Sequence, residues 1–182
     1  MPAAFLSMTN PFPQLYSMVD ASYCNYYQML DTPHITQTTT QLTAVIHLTI
    51  PKNEIQKVMG PGIGELMATI AAQGIQPTGP WFDHHLKIAE DGWDFEICVP
   101  VSEPVVAAGR VRPSKRPAMK VARTVYQGPY EGLADACGEF MDWIAANGHT
   151  AAPDLYQCYI AGPESSADPS RWRTELTRPL TR

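Results

Sequence analysis

Glu175 stands in a strand-like segment beside Trp172 and Leu176. A carboxylate drawn out of water beside apolar side chains suits three tasks: base, acid, or anchor for a cation. The competing readings are an edge-strand surface glutamate or one paired with a nearby arginine. Glu96 holds the corresponding place earlier in the chain, because Glu96-x-x-x-Pro100 matches Glu175-x-x-x-Pro179. Gln157 and Tyr159 lie two apart in another strand-like run and therefore share a face, as do Asp83 and His85. A groove lined by both runs would carry two polar pairs between aromatic walls. A cation over an aromatic face gains about 0.5–2 kcal/mol. Tyr126, Tyr130, Trp143, Trp81 and Phe82 supply further rings. Trp81 and Phe82 alternate along a strand, so at most one of them lines the groove. For each ring, packing in the core competes with contact to a ligand.

His84 and His85 invite a metal reading, but neighbouring strand residues point to opposite faces and no third ligand is suitably spaced. No metal site is expected. There is no nucleophile elbow and no phosphate-binding loop, and no cofactor is implied. Arg110, Arg112, Lys115, Arg116 and Lys120 form a basic cluster, read as a solvated linker, with contact to an acidic partner or nucleic acid as the alternative.

The elements that must position these residues repeat. Residues 65–74 and 139–148 are identical at six of ten positions at a shift of 74. The same shift carries Trp81-Phe82-Asp83-His84-His85 onto Leu155-Tyr156-Gln157-Cys158-Tyr159. The pattern reads as a duplicated unit with a seam between its halves, a natural place for a pocket. In the first unit, residues 42–50 read as a strand, 54–73 as a helix capped by Asn53 and Gly74, and 81–88 and 93–101 as strands. Gly60-Pro61-Gly62 is expected to kink that helix or delay its start. Glu90-Asp91-Gly92 is turn-prone and joins the two strands. In the second unit, 118–126 is a strand, a helix opens at Gly128-Pro129 and ends at Gly148, and 154–160 and 172–180 are strands. Residues 102–117 read as a linker with room for one short strand. Residues 1–40, with Tyr16, Tyr23, Tyr26, Tyr27 and a threonine run, read as a partly ordered extension, and 41–182 as the domain proper. The sum is an α+β fold of about eight largely antiparallel strands, with two long helices flanking a central groove.

The chain has 182 residues, enough for one sizeable core. A formal net charge of −5 argues against broad nucleic-acid binding. No run is long and apolar enough to span a membrane, and the amino terminus has no signal-peptide character. The four cysteines, Cys24, Cys98, Cys137 and Cys158, form no C-x-x-C pair and read as reduced thiols of a cytoplasmic protein.

Three motifs carry a resemblance: Tyr126-Gln-Gly-Pro-Tyr130-Glu131-Gly-Leu133, Trp143-Ile-Ala-Ala-Asn-Gly148, and Trp172-Arg-Thr-Glu175-Leu-x-x-Pro179. With Gly79-Pro-Trp-Phe-Asp-His-His85 and Asp94-Phe-Glu96-Ile-Cys-Val-Pro-Val101, the chain resembles the GyrI-like (gyrase-inhibitor-like) family over about residues 42–181. That family includes effector-binding domains of AraC-type and MerR-type multidrug regulators. The resemblance implies paired strand–helix–strand–strand modules around a groove that takes drug-like, often aromatic or cationic molecules. It implies that the buried glutamate that meets the ligand is Glu175. Some stand-alone relatives open the cyclopropane ring of DNA-alkylating natural products, and one inhibits DNA gyrase. Relatives often carry Trp-Glu-x-Tyr where this chain has Tyr156-Gln157-Cys158-Tyr159.

The leading expectation is a stand-alone binder of hydrophobic, drug-like small molecules. Its ligand-binding set is Glu175, Tyr159, Gln157, Tyr126, Trp143, Trp81, Phe82, His85 and Glu96. The enzyme alternative is a cyclopropane-opening hydrolase for self-resistance or detoxification, with Glu175 as base and Tyr159, or else Tyr126, as donor. A third reading is a protein-binding inhibitor or adaptor. No membrane contact and no direct nucleic-acid binding are expected.

Overall fold

The computed structural model describes residues 29–88 and 92–181. Most of the expected amino-terminal extension, Cys24, and the Glu90-Asp91 part of the expected turn lie outside the described residues. The order strand–helix–strand–strand occurs twice. The first group is β2 (Gln41–Pro51), α1 (Ile55–Ala72), β3 (Phe82–Ile88) and β4 (Gly92–Pro100). The second is β6 (Lys120–Gln127), α2 (Leu133–Ala146), β7 (Leu155–Ala161) and β8 (Arg173–Pro179). Two short strands precede them, β1 (His34–Gln37) and β5 (Arg112–Arg116). β1 falls inside the stretch read as an extension, and β5 is the short strand allowed for in the linker.

All eight strands form one antiparallel sheet in the order β1-β6-β8-β7-β3-β4-β2-β5. β3 and β7 pair at its centre, with Asp83 directly opposite Gln157, its partner at the 74-residue shift. The outer strands are exchanged: β1 precedes the first group but pairs with β6, and β5 precedes the second group but pairs with β2. The two pairings share one register. His34 faces Arg123, Gln37 faces Lys120, Gln41 faces Arg116 and Val45 faces Arg112. Between them the Thr38 N–H donates to the Met119 carbonyl at 2.9 Å, and the Met119 N–H donates to Thr38 Oγ1 at 3.0 Å. The two ends of the strand order are thereby tied together.

The helices cover the two flanks of one face. α1 lays Leu66 and Ile70 on Ala44 and Ile46 of β2 and on Phe95, Ile97 and Val99 of β4. α2 lays Ala136, Phe140 and Ile144 on Ala122 and Tyr126 of β6 and Leu176 of β8. Fully burying side chains of this size contributes about 1.5–3 kcal/mol each. Both helices end on glycines in the left-handed region, Gly74 at φ 69° and Gly148 at φ 74°. At each end the glycine N–H and the next N–H bond back to the last turn, Gly74 to Ala71 and Ile75 to Ile70, Gly148 to Ala145 and His149 to Ile144.

Two local expectations are corrected. α1 runs unbroken through Pro61, where one ladder bond is lost near the start of an 18-residue helix. Its neighbour Gly62 is buried, and a Cβ there would sit 2.5 Å from Ile97 Cδ1, so the glycine lets the helix approach β4. Asn53 does not cap α1. It lies in a 3₁₀ turn, Lys52–Glu54, and Glu54 takes the cap position without a side-chain hydrogen bond.

Candidate functional site

Between the cores under α1 and α2, β3 and β7 form a central strip, which α2 borders through Cys137, its Sγ 3.9 Å from the Gln157 amide nitrogen. Strand alternation puts Asp83 and His85 of β3, and Leu155, Gln157 and Tyr159 of β7, on this strip. The strip is polar at its floor and aromatic above. Asp83 is 0% exposed, His85 is buried, and Gln157 is 9% exposed. The Tyr159 hydroxyl donates to Asp83 Oδ2 at 2.7 Å and lies 3.4 Å from Gln157 Oε1. His85 Nε2 lies 3.5 Å from Asp83 Oδ1. Burial, and then the charge and hydrogen bond of Asp83, push the Tyr159 hydroxyl well above the ordinary tyrosine value. Tyr159 therefore keeps its proton and acts as a donor.

Aromatic rings close the strip. Trp81 stacks on Tyr159 with ring centres 4.3 Å apart, and Tyr130 meets Tyr159 edge-on at 5.6 Å. Trp172 packs on Tyr130 at 4.7 Å. At the other end, His85 contacts Trp93 at 5.1 Å and stacks on Phe95 at 5.6 Å. Each ring is placed by local chain geometry: Trp81 just before β3, Tyr130 in the 3₁₀ turn Tyr130–Gly132 before α2, and Trp172 just before β8. Three buried polar atoms here, Asp83 Oδ1, His85 Nδ1 and Thr174 Oγ1, have no hydrogen-bond partner among the described residues. Thr174 belongs to the same face, opposite Tyr159 on β8. Unpaired buried polar atoms are rare, and their gathering in one strip needs an explanation.

The residues singled out from sequence divide between two faces. Tyr159, Gln157, His85 and Trp81 come together in the seam. Phe82, Glu96 and Glu175 lie on the opposite face, helix-free among the described residues, where Phe82 faces both Cys98 and Cys158, and Cys158 faces Glu175. The Glu175 side chain is 23% exposed, with Arg123 Nε 3.5 Å from its Oε1. Glu175 and Tyr159 therefore do not share a site. Tyr126 and Trp143 join neither group. Tyr126 is buried in the α2 core and its hydroxyl donates to the Pro129 carbonyl at 2.9 Å, while Trp143 packs against that same core. Asp83 and Trp93 are among the seam residues that the sequence reading left out of the binding set, as are Tyr130, Trp172, Phe95 and Thr174. Parity with His85 places Asp83 on the strip, which was legible; Trp93 shares its face with Phe95 by alternation along β4, and Phe95 stands opposite His85, a pairing that no pattern within either strand carries.

His84 and His85 point to opposite faces. On the helix-free face His84 Nδ1 lies 3.3 Å from Glu96 and its Nε2 3.1 Å from Asp154, with the ring stacked on Tyr156. Burial lowers its affinity for a proton, but the two carboxylates outweigh that and hold it above the ordinary histidine value.

Comparison with known proteins follows this geometry. The C-terminal domain of EcmrR aligns over 83% of this chain and 98% of its own length, with a TM-score of 0.74 and 22% identity. In the EcmrR–DNA complex the match has a TM-score of 0.75 at 20% identity and covers 88% of this chain, which spans 61% of that one. A hydrolase from Listeria innocua matches at TM-score 0.61 and 12% identity over 88% of this chain and 97% of its own. SAV2435 bound to tetraphenylphosphonium matches at 0.56 and 11%, over 83% and 94%. At these identities the likeness is one of fold. A comparison with curated protein sequences finds no match. The model of the GyrI-like small molecule binding domain matches residues 31–181, nearly the whole of the described sheet and both helices, and the chain therefore belongs to that family.

Proposed function

We propose that the protein binds hydrophobic, drug-like cations in the seam between α1 and α2, with Asp83 as the buried counter-charge. The observation that carries this reading is the Asp83 carboxylate at 0% exposure, one oxygen without a hydrogen-bond partner among the described residues, beside the Trp81–Tyr159 stack. A buried acid under π-faces favours a delocalised or lipophilic cation twice, by charge and by ring quadrupole. The site differs from the one suggested by the sequence, because Glu175 lies across the sheet. SAV2435, a protein of the same fold, is bound to tetraphenylphosphonium, which makes that cation the first probe. Titration should give saturable quenching of tryptophan emission, since Trp81, Trp93 and Trp172 border the seam. A linear response with no saturation would remove this reading.

Hydrolysis of a strained ring is the second reading, favoured by the Asp83–Tyr159 contact with His85 alongside. Asp83 or His85 would position a water, and Tyr159 would donate to the oxygen that gains charge, a contribution of about 10²- to 10⁴-fold for positioned acid–base groups. Incubation with a cyclopropane-bearing alkylator would give a product one water heavier, lost in Asp83→Asn. Unchanged compound would leave binding alone.

A further inference from the structure

The helix-free face holds a cavity of about 110 Å³, several times what one water needs. Phe82, His84, Glu96, Tyr156, Ser114 and Arg116 are among its lining residues. The Arg116 guanidinium lies over the Tyr156 ring at 4.4 Å and the Phe82 ring at 5.6 Å. Its Nε and Nη2 are buried and have no hydrogen-bond partner among the described residues. The carboxylates nearby are already matched: Glu96 lies beside His84 at 3.3 Å and Glu175 beside Arg123 at 3.5 Å. Arg116 is thus a half-buried cation whose Nε–Nη2 edge is buried with no hydrogen-bond partner among the described residues, which is a costly arrangement.

The unpaired edge has a direct counterpart in the same molecule. Arg110 uses its Nε and Nη2 to hold the Glu65 carboxylate, at 2.9 and 2.6 Å. Two parallel N–H donors match the two oxygens of a carboxylate. Thr43 and Ser114, paired across β2 and β5, add two hydroxyl donors to the lining. Phe82, Tyr156, Cys98 and Pro117 supply the apolar wall, and His84, Glu96 and Lys115 complete the lining, so the space left beside Arg116 suits a short ligand.

We propose that this cavity is a second ligand site, separate from the helix seam, which takes a small monocarboxylate on Arg116. In the complex the guanidinium turns its Nε–Nη2 edge to the ligand and keeps its aromatic stacking. The site does not rest on the seam reading, because the two lie on opposite faces of the sheet.

The test is a titration of the full chain with sodium acetate against sodium chloride at equal ionic strength, read from the arginine Nε–H resonances. Arg116→Lys identifies the Arg116 signal. A saturable acetate-dependent shift of that one signal, absent with chloride, is the expected result. Thermal melts should show acetate stabilising the wild type and not Arg116→Met, which keeps the aliphatic stem. An equal response to chloride, or no shift of the Arg116 signal in the wild type, would overturn the proposal without reference to any variant's folding. Displacement of acetate by equimolar inorganic phosphate would overturn the carboxylate assignment in favour of a tetrahedral oxyanion.

Discussion

Replacing Asp83 by Asn removes one negative charge from the seam with almost no change in volume, and its effect on cation binding can be worked from position. Asp83 is fully buried, and its Tyr159 donor can still find an oxygen in asparagine. With a phosphonium centre about 6 Å from the carboxylate and an effective dielectric near 20, the attraction is about 3 kcal/mol. Allowing for residual screening, Asp83→Asn should weaken tetraphenylphosphonium binding roughly 30- to 150-fold, at about 1.4 kcal/mol per factor of ten. Glu175 lies beyond the sheet, and Arg123 beside it offsets much of its field. At about 12 Å with a dielectric nearer that of water its contribution falls to about 0.4 kcal/mol, so Glu175→Gln should change affinity no more than about twofold. Isothermal titration of the three proteins, with triphenylphosphine oxide as a neutral ligand of comparable aromatic surface, separates charge from area. Asp83→Asn should lose affinity for the cation and keep it for the neutral compound. A larger loss in Glu175→Gln than in Asp83→Asn would refute the reasoning and move the ligand to the helix-free face.

Trp81→Ala removes a stacked wall and should weaken the same cation by about 0.5–1.5 kcal/mol beyond the lost area, checked by the same titration. His84 titrates above its ordinary value of 6.5 because Asp154 and Glu96 outweigh its burial, so its contribution is full below about pH 6.5 and fades as pH rises through the higher folded value. Urea midpoints should therefore fall across that range in the wild type and not in His84→Gln. Asp154, held below 3.8 by its hydrogen bond to His84 against the opposing effect of burial, adds stability above that pH and loses it as acid is added. Gly148→Ala tests backbone strain alone, since φ is 74° and no atom lies within 4 Å of the new Cβ. It should cost about 1–2 kcal/mol in chemical denaturation.

The elements were legible where local rules act without rivals. Gly74 and Gly148 end their helices, and alternation separates Trp81 from Phe82 and His84 from His85. Pro61 does not delay the start of α1, because tertiary packing of Leu66 and Ile70 on β4 and β2 outweighs one missing hydrogen bond. The binding set was harder. Residues on one strand sort themselves by parity, so Gln157 went with Tyr159 correctly. Glu175 and Tyr159 lie on different strands, and their relative faces depend on register: Cys158, not Tyr159, stands opposite Glu175. No pattern within either segment carries that information. The core role of Tyr126 was equally hidden, because its hydroxyl acceptor is a carbonyl three residues on, in a turn whose path only the packed helix fixes.

The exchange of β1 and β5 bears on how the chain reaches this state. During synthesis β2 appears with one edge bare until residues 112–116 arrive, and β1 has no partner until residues 120–123 follow. Neither half can complete its own sheet, so closure depends on pairings far apart in sequence, which form slowly. A nick in the connector between β4 and β5 would leave two fragments that each hold the other's missing strand and recognise one another through it. The same logic acts between whole chains. Two molecules that trade β5 would build a dimer in which every strand pairing is native. Concentration during refolding then decides between monomer and swapped pair, and dilution is the condition that favours the monomer.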